Sequence, residues 1–86
     1  MIRELSVNEN MIVDFLTLSG GKADYKKLAE YVYKGYEIPK NPEIVMNSAV
    51  KRIIAKIKKH SLDIELKITK QRVGKVYINT VELKRK

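Results

Sequence analysis

The residues best suited to bind a ligand lie between positions 41 and 59, where apolar side chains recur at helical spacing. Asn41 and Pro42 are typical of a helix start, because the first turn does not need the N–H that proline lacks. Drawn with about 100° per residue, the segment has one face of mostly small, polar and basic side chains. They are Ile44, Asn47, Ser48, Lys51, Arg52, Ala55, Lys58 and Lys59. Apart from Glu43 in the first turn, this face carries no acid, so it suits contact with a polyanion.

The middle of this face is suited to the edges of base pairs. Ser48 and Ala55 are small, and small residues let a helix backbone come close to base edges in the DNA major groove. Asn47 has the amide geometry for a bidentate contact with adenine, whereas Lys51 and Arg52 suit guanine or phosphate. The pattern therefore predicts a helix over residues 42–59 that contacts DNA bases.

The end of the helix and its opposite side suit other tasks. Lys58 and Lys59 lie far along the helix, where we expect contact with phosphates. The opposite face is apolar, which predicts the side that packs in the core. Its residues are Met46, Ala49, Val50, Ile53 and Ile57, flanked by Val45 and Ile54. An alternative interpretation is an ordinary amphipathic helix whose solvated face is rich in lysine.

A second basic group lies in residues 70–75, between two predicted strands. Lys70, Arg72 and Lys75 surround Gly74, a residue typical of tight turns. A basic hairpin tip next to a basic helix suits flanking phosphates or the minor groove, where negative potential concentrates. Arg72 is the best candidate for insertion into that groove. The alternative is a hairpin tip whose charge only keeps it solvated.

Positive charge is concentrated in the second half of the chain, whose formal net charge is +8 over 86 residues. Residues 1–50 hold six Lys/Arg and seven Asp/Glu, a net of −1, and residues 51–86 hold twelve and three, a net of +9. This asymmetry favours nucleic acid as the partner. A lysine-rich surface that serves only solubility is the alternative.

Residue types that support catalysis or metal binding are scarce. The chain has no cysteine, which excludes disulfides, thiolate metal sites and a cysteine nucleophile. His60 is its only histidine, so a zinc site is not expected, and the residue suits a helix C-terminus. No phosphate-binding loop, nucleotide fingerprint or Ser/His/Asp set is present. We expect no enzyme activity, no metal and no cofactor.

The elements that position these residues are predicted to form one α+β domain over residues 1–86. Ser6 and Glu9 fit a capping box that starts a first helix ending near residue 18. One face of this helix is predicted to be apolar, either in the core or partly against a partner subunit. It holds Val7, Met11, Phe15 and Leu18, with Asn8, Asn10, Asp14 and Thr17 on the solvent side. Asp24 is the expected N-cap of a second helix over residues 25–34.

The remaining elements are strands. Alternating apolar side chains predict a strand over residues 64–69 and another over residues 75–79, joined by a turn at 70–74. Residues 1–5 could form a short additional strand. Residues 80–86 are expected to form a basic tail.

This order of elements resembles that of winged helix-turn-helix domains, and residues 25–79 resemble the OmpR-type effector domain of transcription regulators. Residues 28–33 are similar to that family's second helix, residues 50–59 to its recognition helix and residues 72–78 to its wing. The resemblance implies groove contacts from the recognition helix, a wing contact from Arg72 and packing by Tyr77 at the wing base. The implied groove-contact residues are Asn47, Ser48, Lys51, Arg52 and Ala55. The loop 35–40 would lie where such regulators contact the transcription machinery.

Two departures from the family bear on regulation. The family has a small sheet before the first helix and a phosphorylation-receiving domain, and neither has a counterpart in this sequence. The resemblance therefore implies a stand-alone regulator, of the kind that plasmids and archaeal viruses encode, without phosphorylation control. We expect a cytoplasmic homodimer that binds double-stranded DNA and no membrane, since one helix contacts only a few base pairs. The alternatives are a winged-helix protein-interaction module and a non-specific nucleic-acid binder.

Overall fold

The computed structural model describes residues 1–85, which form three helices and three strands. Along the chain they are α1 (Val7–Leu18), β1 (Lys22–Asp24), α2 (Tyr25–Val32), α3 (Pro42–His60), β2 (Ile64–Val73) and β3 (Val76–Arg85). The strands make one antiparallel sheet in the order β1-β3-β2. The fold is α+β and is compatible with the predicted winged helix. No helix within residues 1–85 is both long and apolar enough to cross a lipid bilayer.

The start of α1 confirms the capping box. The Ser6 hydroxyl accepts from the Glu9 amide at 3.2 Å, and the Glu9 carboxylate accepts from the Ser6 amide at 2.8 Å. Residues 1–5 form a turn, so the strand predicted there is wrong. Its amide and carbonyl groups bond to Asn10 instead: Oδ1 accepts from the Ile2 amide, and Nδ2 donates to the carbonyls of Ile2 and Leu5.

The orientation of α1 differs from the prediction. Val7 and Leu18, placed on the core face by their spacing, are 67% and 76% exposed. The buried face instead carries Ile12 and Leu16, and it includes Asn10, which was predicted to face solvent. The helix has two apolar stripes, and only contacts with the rest of the chain decide which is buried. Both polar residues that turn inward, Glu9 and Asn10, have hydrogen-bond partners there, which makes their burial tolerable.

β1 and α2 follow directly on a glycine turn. Gly21 adopts φ +93°, and its carbonyl accepts from the Leu83 amide at 2.6 Å, which joins this turn to β3. The three-residue strand β1 was not predicted, because a segment this short has no readable alternation. Asp24 caps α2 as expected, accepting from the Lys27 amide at 2.8 Å. The helix ends at Val32, two residues before the predicted end.

β3 is the central strand and corrects the prediction of a basic tail. Residues 80–85 belong to this strand, and Val81 is fully buried between Ala23 of β1 and Ile68 of β2. Lys86 lies outside the described residues. The hairpin turn is shorter than predicted, because Val73 pairs with Val76 and leaves two residues between them. Gly74 takes φ +63° in this turn, as one class of two-residue hairpin loop requires at its first position.

The core lies between the three helices and one face of the sheet. The predicted apolar face of α3 is confirmed, since all five of its residues are buried. They are Met46, Ala49, Val50, Ile53 and Ile57. With this side fixed in the core, the opposite side of α3 faces outward.

Candidate nucleic-acid interface

The outward side of α3 carries most of the predicted contact residues. Six are exposed to solvent and Asn47 is half-buried. The exposed residues are Ser48, Lys51, Arg52, Ala55, Lys58 and Lys59. Pro42 occupies the first turn as expected, whereas Asn41 makes no side-chain capping bond. The helix ends at His60, after which Ser61 adopts a left-handed conformation with φ 51°.

An ion pair separates one α3 lysine from the others. The Lys56 Nζ lies 2.7 Å from Glu9 Oε1, and no second ion pair is found within residues 1–85. Burial raises the pKa of the Glu9 carboxyl, but hydrogen bonds from Lys56 and Ser6 outweigh it and hold the pKa below its ordinary value. Lys56 therefore ties α3 to α1. The basic residues of the exposed face have no such acidic partner in the described part of the chain.

The exposed face of α3 borders a groove that it shares with the hairpin. The groove has a volume of about 330 Å³. Asn47 and Ser48 line one side, and Lys70 of β2 and Asn79 of β3 line the other. The fold thus brings together predicted residues that are 22 or more positions apart in the chain. Glu43 and Ile44 also line this groove.

The hairpin presents its basic side chains on the same side of the sheet as its buried residues. Leu66 and Ile68 face the core, and because side chains alternate along a strand, Lys70 and Arg72 continue that face beyond the core. Arg72 is paired with Tyr77 on β3, and Lys70 Nζ lies 5.7 Å from the centre of the Tyr77 ring.

The tip of the hairpin carries the last two predicted residues, both exposed. Arg72 Nε donates to the Gly74 carbonyl at 3.0 Å, which leaves the terminal nitrogens of the guanidinium available. Lys75 lies in the turn itself. The geometry therefore places positive charge at the end of the hairpin.

A buried tyrosine holds Asn47 from behind. The Tyr25 hydroxyl donates to Asn47 Oδ1 at 2.9 Å, and the Tyr25 side chain is only 1% exposed. Burial raises the pKa of Tyr25, which keeps the hydroxyl protonated and able to donate. This link joins the start of α2 to the second turn of α3 and was not predicted, because nothing local connects residues 25 and 47.

Sequence reasoning also missed Asn79 and the position of Tyr77 in the interface. Asn79 was predicted to end a strand, but it lies within β3, directly across from Lys70. Continuing the alternation through Val81 and Leu83 would have extended β3 and indicated this pairing. Among residues 1–85, no three His, Asp or Glu side chains form a group that could hold a metal ion.

Comparison of this chain with models of known protein families, with curated proteins and with solved structures finds no significant match.

Proposed function

We propose that this chain is a winged helix-turn-helix domain that binds double-stranded DNA as a sequence-specific transcription regulator. In this proposal α3 is the recognition helix in the major groove, and the β2–β3 hairpin is the wing. The observation that carries it is the shared groove, in which Asn47 and Ser48 of α3 face Lys70 of the hairpin. A solvated lysine-rich surface would not need polar residues of two distant segments to converge.

The dimensions of α3 suit the major groove. Its 19 residues span about 28 Å at 1.5 Å per residue, and its exposed centre line has small side chains at Ser48 and Ala55. The major groove is just wide enough for a helix, so small residues permit close approach. Lys51 and Arg52 flank this line and would contact bases or phosphates. Lys58 and Lys59, in the last turn, would contact phosphates.

The wing would contact the neighbouring backbone or minor groove. Arg72 and Lys75 lie at its exposed tip, and Lys70 lies nearer to α3. A guanidinium with free terminal nitrogens is suited to the narrow minor groove, where the potential is most negative. The wing would therefore add affinity at positions next to those contacted by α3.

A homodimer is part of this proposal, because two half-sites extend the DNA sequence that can be recognised. The exposed stripe of α1, with Val7 and Leu18, offers an apolar surface away from the basic face. The loop 35–40 exposes Tyr36 and Ile38, which suits a contact with the transcription machinery. Sedimentation equilibrium of the free protein tests the dimer, and a monomer at high concentration contradicts it.

The experiment that tests the proposed function is selection of bound duplexes from a random DNA pool. Sequence-specific binding predicts enrichment of a defined site, with affinity for that site at least 10³-fold above that for random DNA. Equal affinity for the selected and random duplexes would instead support a non-specific nucleic-acid binder. The absence of duplex binding at low salt would support the protein-interaction module.

A further inference from the structure

We infer that Tyr25 sets the base preference of Asn47, and that the groove between α3 and the hairpin takes a base edge rich in hydrogen-bond acceptors, that of guanine. This inference rests on the proposed function and adds a specificity-determining pair to it. It replaces adenine, the base expected for Asn47 from its residue type alone.

The first step concerns the direction of the Asn47 amide. Tyr25 is almost fully buried, and its hydroxyl donates to Asn47 Oδ1 at 2.9 Å. The oxygen end of the amide therefore points toward the protein interior. Within residues 1–85 Nδ2 makes no hydrogen bond, and it is not buried, so the donor end is the one presented outward.

The second step concerns what such an amide can recognise. A bidentate contact with adenine needs Oδ1 to accept from N6 while Nδ2 donates to N7, so both ends must point at the base. An amide whose oxygen is turned inward offers only donors. Guanine presents two acceptors, N7 and O6, in the major groove, and these match a donor.

The third step concerns the rest of the groove. Lys70 is a donor without acceptor capacity, and it lies across the groove from Asn47. Ser48 and Asn79 can donate or accept, and they line the same groove. Glu43, at the helix start, is the single acid among the lining residues and disfavours phosphate close to it. The groove is therefore better matched to an acceptor-rich base edge than to adenine.

Tyr25→Phe tests the assignment, because it removes the hydroxyl while retaining the buried ring. Duplex selection with the wild-type protein is expected to give guanine at one position, and 7-deazaguanine there is expected to weaken binding by about tenfold. In Tyr25→Phe the amide is free to turn, so the preference for guanine over adenine at this position should fall by about tenfold. The salt dependence should stay unchanged, since no phosphate contact is lost. Tyr33→Phe is the matched control, because this half-buried hydroxyl makes no hydrogen bond within residues 1–85.

A second variant does not depend on how well Tyr25→Phe folds. Asn47→Asp keeps an acceptor for the Tyr25 hydroxyl but replaces the outward donor by an acceptor, so it should shift the preference toward cytosine or adenine, which present amino groups. A wild-type protein that selects a site without guanine at any position sensitive to Asn47→Asp overturns the inference and leaves the proposed function intact. The same holds if Tyr25→Phe folds and keeps the wild-type preference. A wild-type protein that binds no duplex overturns both.

Discussion

Lys56 and Glu9 form an ion pair of 2.7 Å between α3 and α1, although both belong to stretches whose other charged residues face solvent. Glu9 is 3% exposed and also caps α1, so a single carboxylate serves the helix start and the contact between two helices. Lys56 is therefore part of the scaffold, whereas Lys51, Arg52, Lys58 and Lys59 remain for an external partner. This division can be tested residue by residue.

Lys56→Ala is expected to destabilise the fold and to leave DNA binding largely unchanged once the protein is folded. Loss of the ammonium leaves the buried Glu9 carboxylate with one strong partner fewer, which costs about 1–3 kcal/mol. Urea denaturation measures the free energy of unfolding. Lys58→Ala is the control on the same helix and should change stability by less than about 0.5 kcal/mol. Equal stability of the two variants would show that the ion pair has no structural role.

The stability of the protein is expected to fall in acid through Glu9. The pKa of this carboxyl lies below its ordinary value of 4.5 in the folded state. A group with a lowered folded-state pKa contributes stability that is fully present above its unfolded pKa and is lost as pH falls through the folded pKa. The free energy of unfolding should thus decrease as pH falls below 4.5. In Glu9→Gln this decrease should be smaller, and identical pH profiles of the two proteins would refute the assignment.

Lys70→Ala is expected to weaken DNA binding, whereas Lys67→Ala is not. Both lysines lie on β2 and are exposed, but they point to opposite sides of the sheet, and only Lys70 lines the groove beside α3. Loss of one charge-assisted contact should reduce affinity by about tenfold. Fluorescence anisotropy with the selected duplex measures both variants against the wild type. A similar loss in both variants would indicate that only net charge matters.

Lys51→Ala and Arg52→Ala are each expected to weaken binding without changing stability, because both side chains are exposed and no hydrogen bond or ion pair holds them within residues 1–85. If one of them contacts a base, its loss should relax the preference at one position by about 1–3 kcal/mol. Gel-shift titration against the selected and point-mutated duplexes separates this effect from a phosphate contact. Unchanged binding in both variants would contradict the assignment of α3 as the recognition helix.

The parts of the fold that could be predicted from sequence are those set by a single element. The two faces of α3 were predicted correctly, because a stripe such as Val50, Ile53 and Ile57 is separated from Lys51 and Arg52 by helical geometry alone. The capping box of α1 is equally local. Both fix positions without reference to the rest of the chain.

The parts that could not be predicted depend on contacts between distant segments. The burial of Asn10 requires the turn at residues 1–5, and β1 exists only because β3 pairs with it. The same is true of the link between Tyr25 and Asn47, which changes the expected chemistry of a residue that sequence had already placed in the interface. Residue type indicated that Asn47 contacts a base, and tertiary structure indicates which end of the amide does so.

The salt dependence of duplex binding tests the central claim most directly. If about five phosphates are neutralised, log K should fall with log salt with a slope of about −4.5. Replacing Lys51, Arg52, Lys58 and Lys59 together by Gln should bring the slope to about −0.9, with the free energy of unfolding little changed. A folded variant that keeps the wild-type slope would contradict the claim that the exposed face of α3 binds DNA.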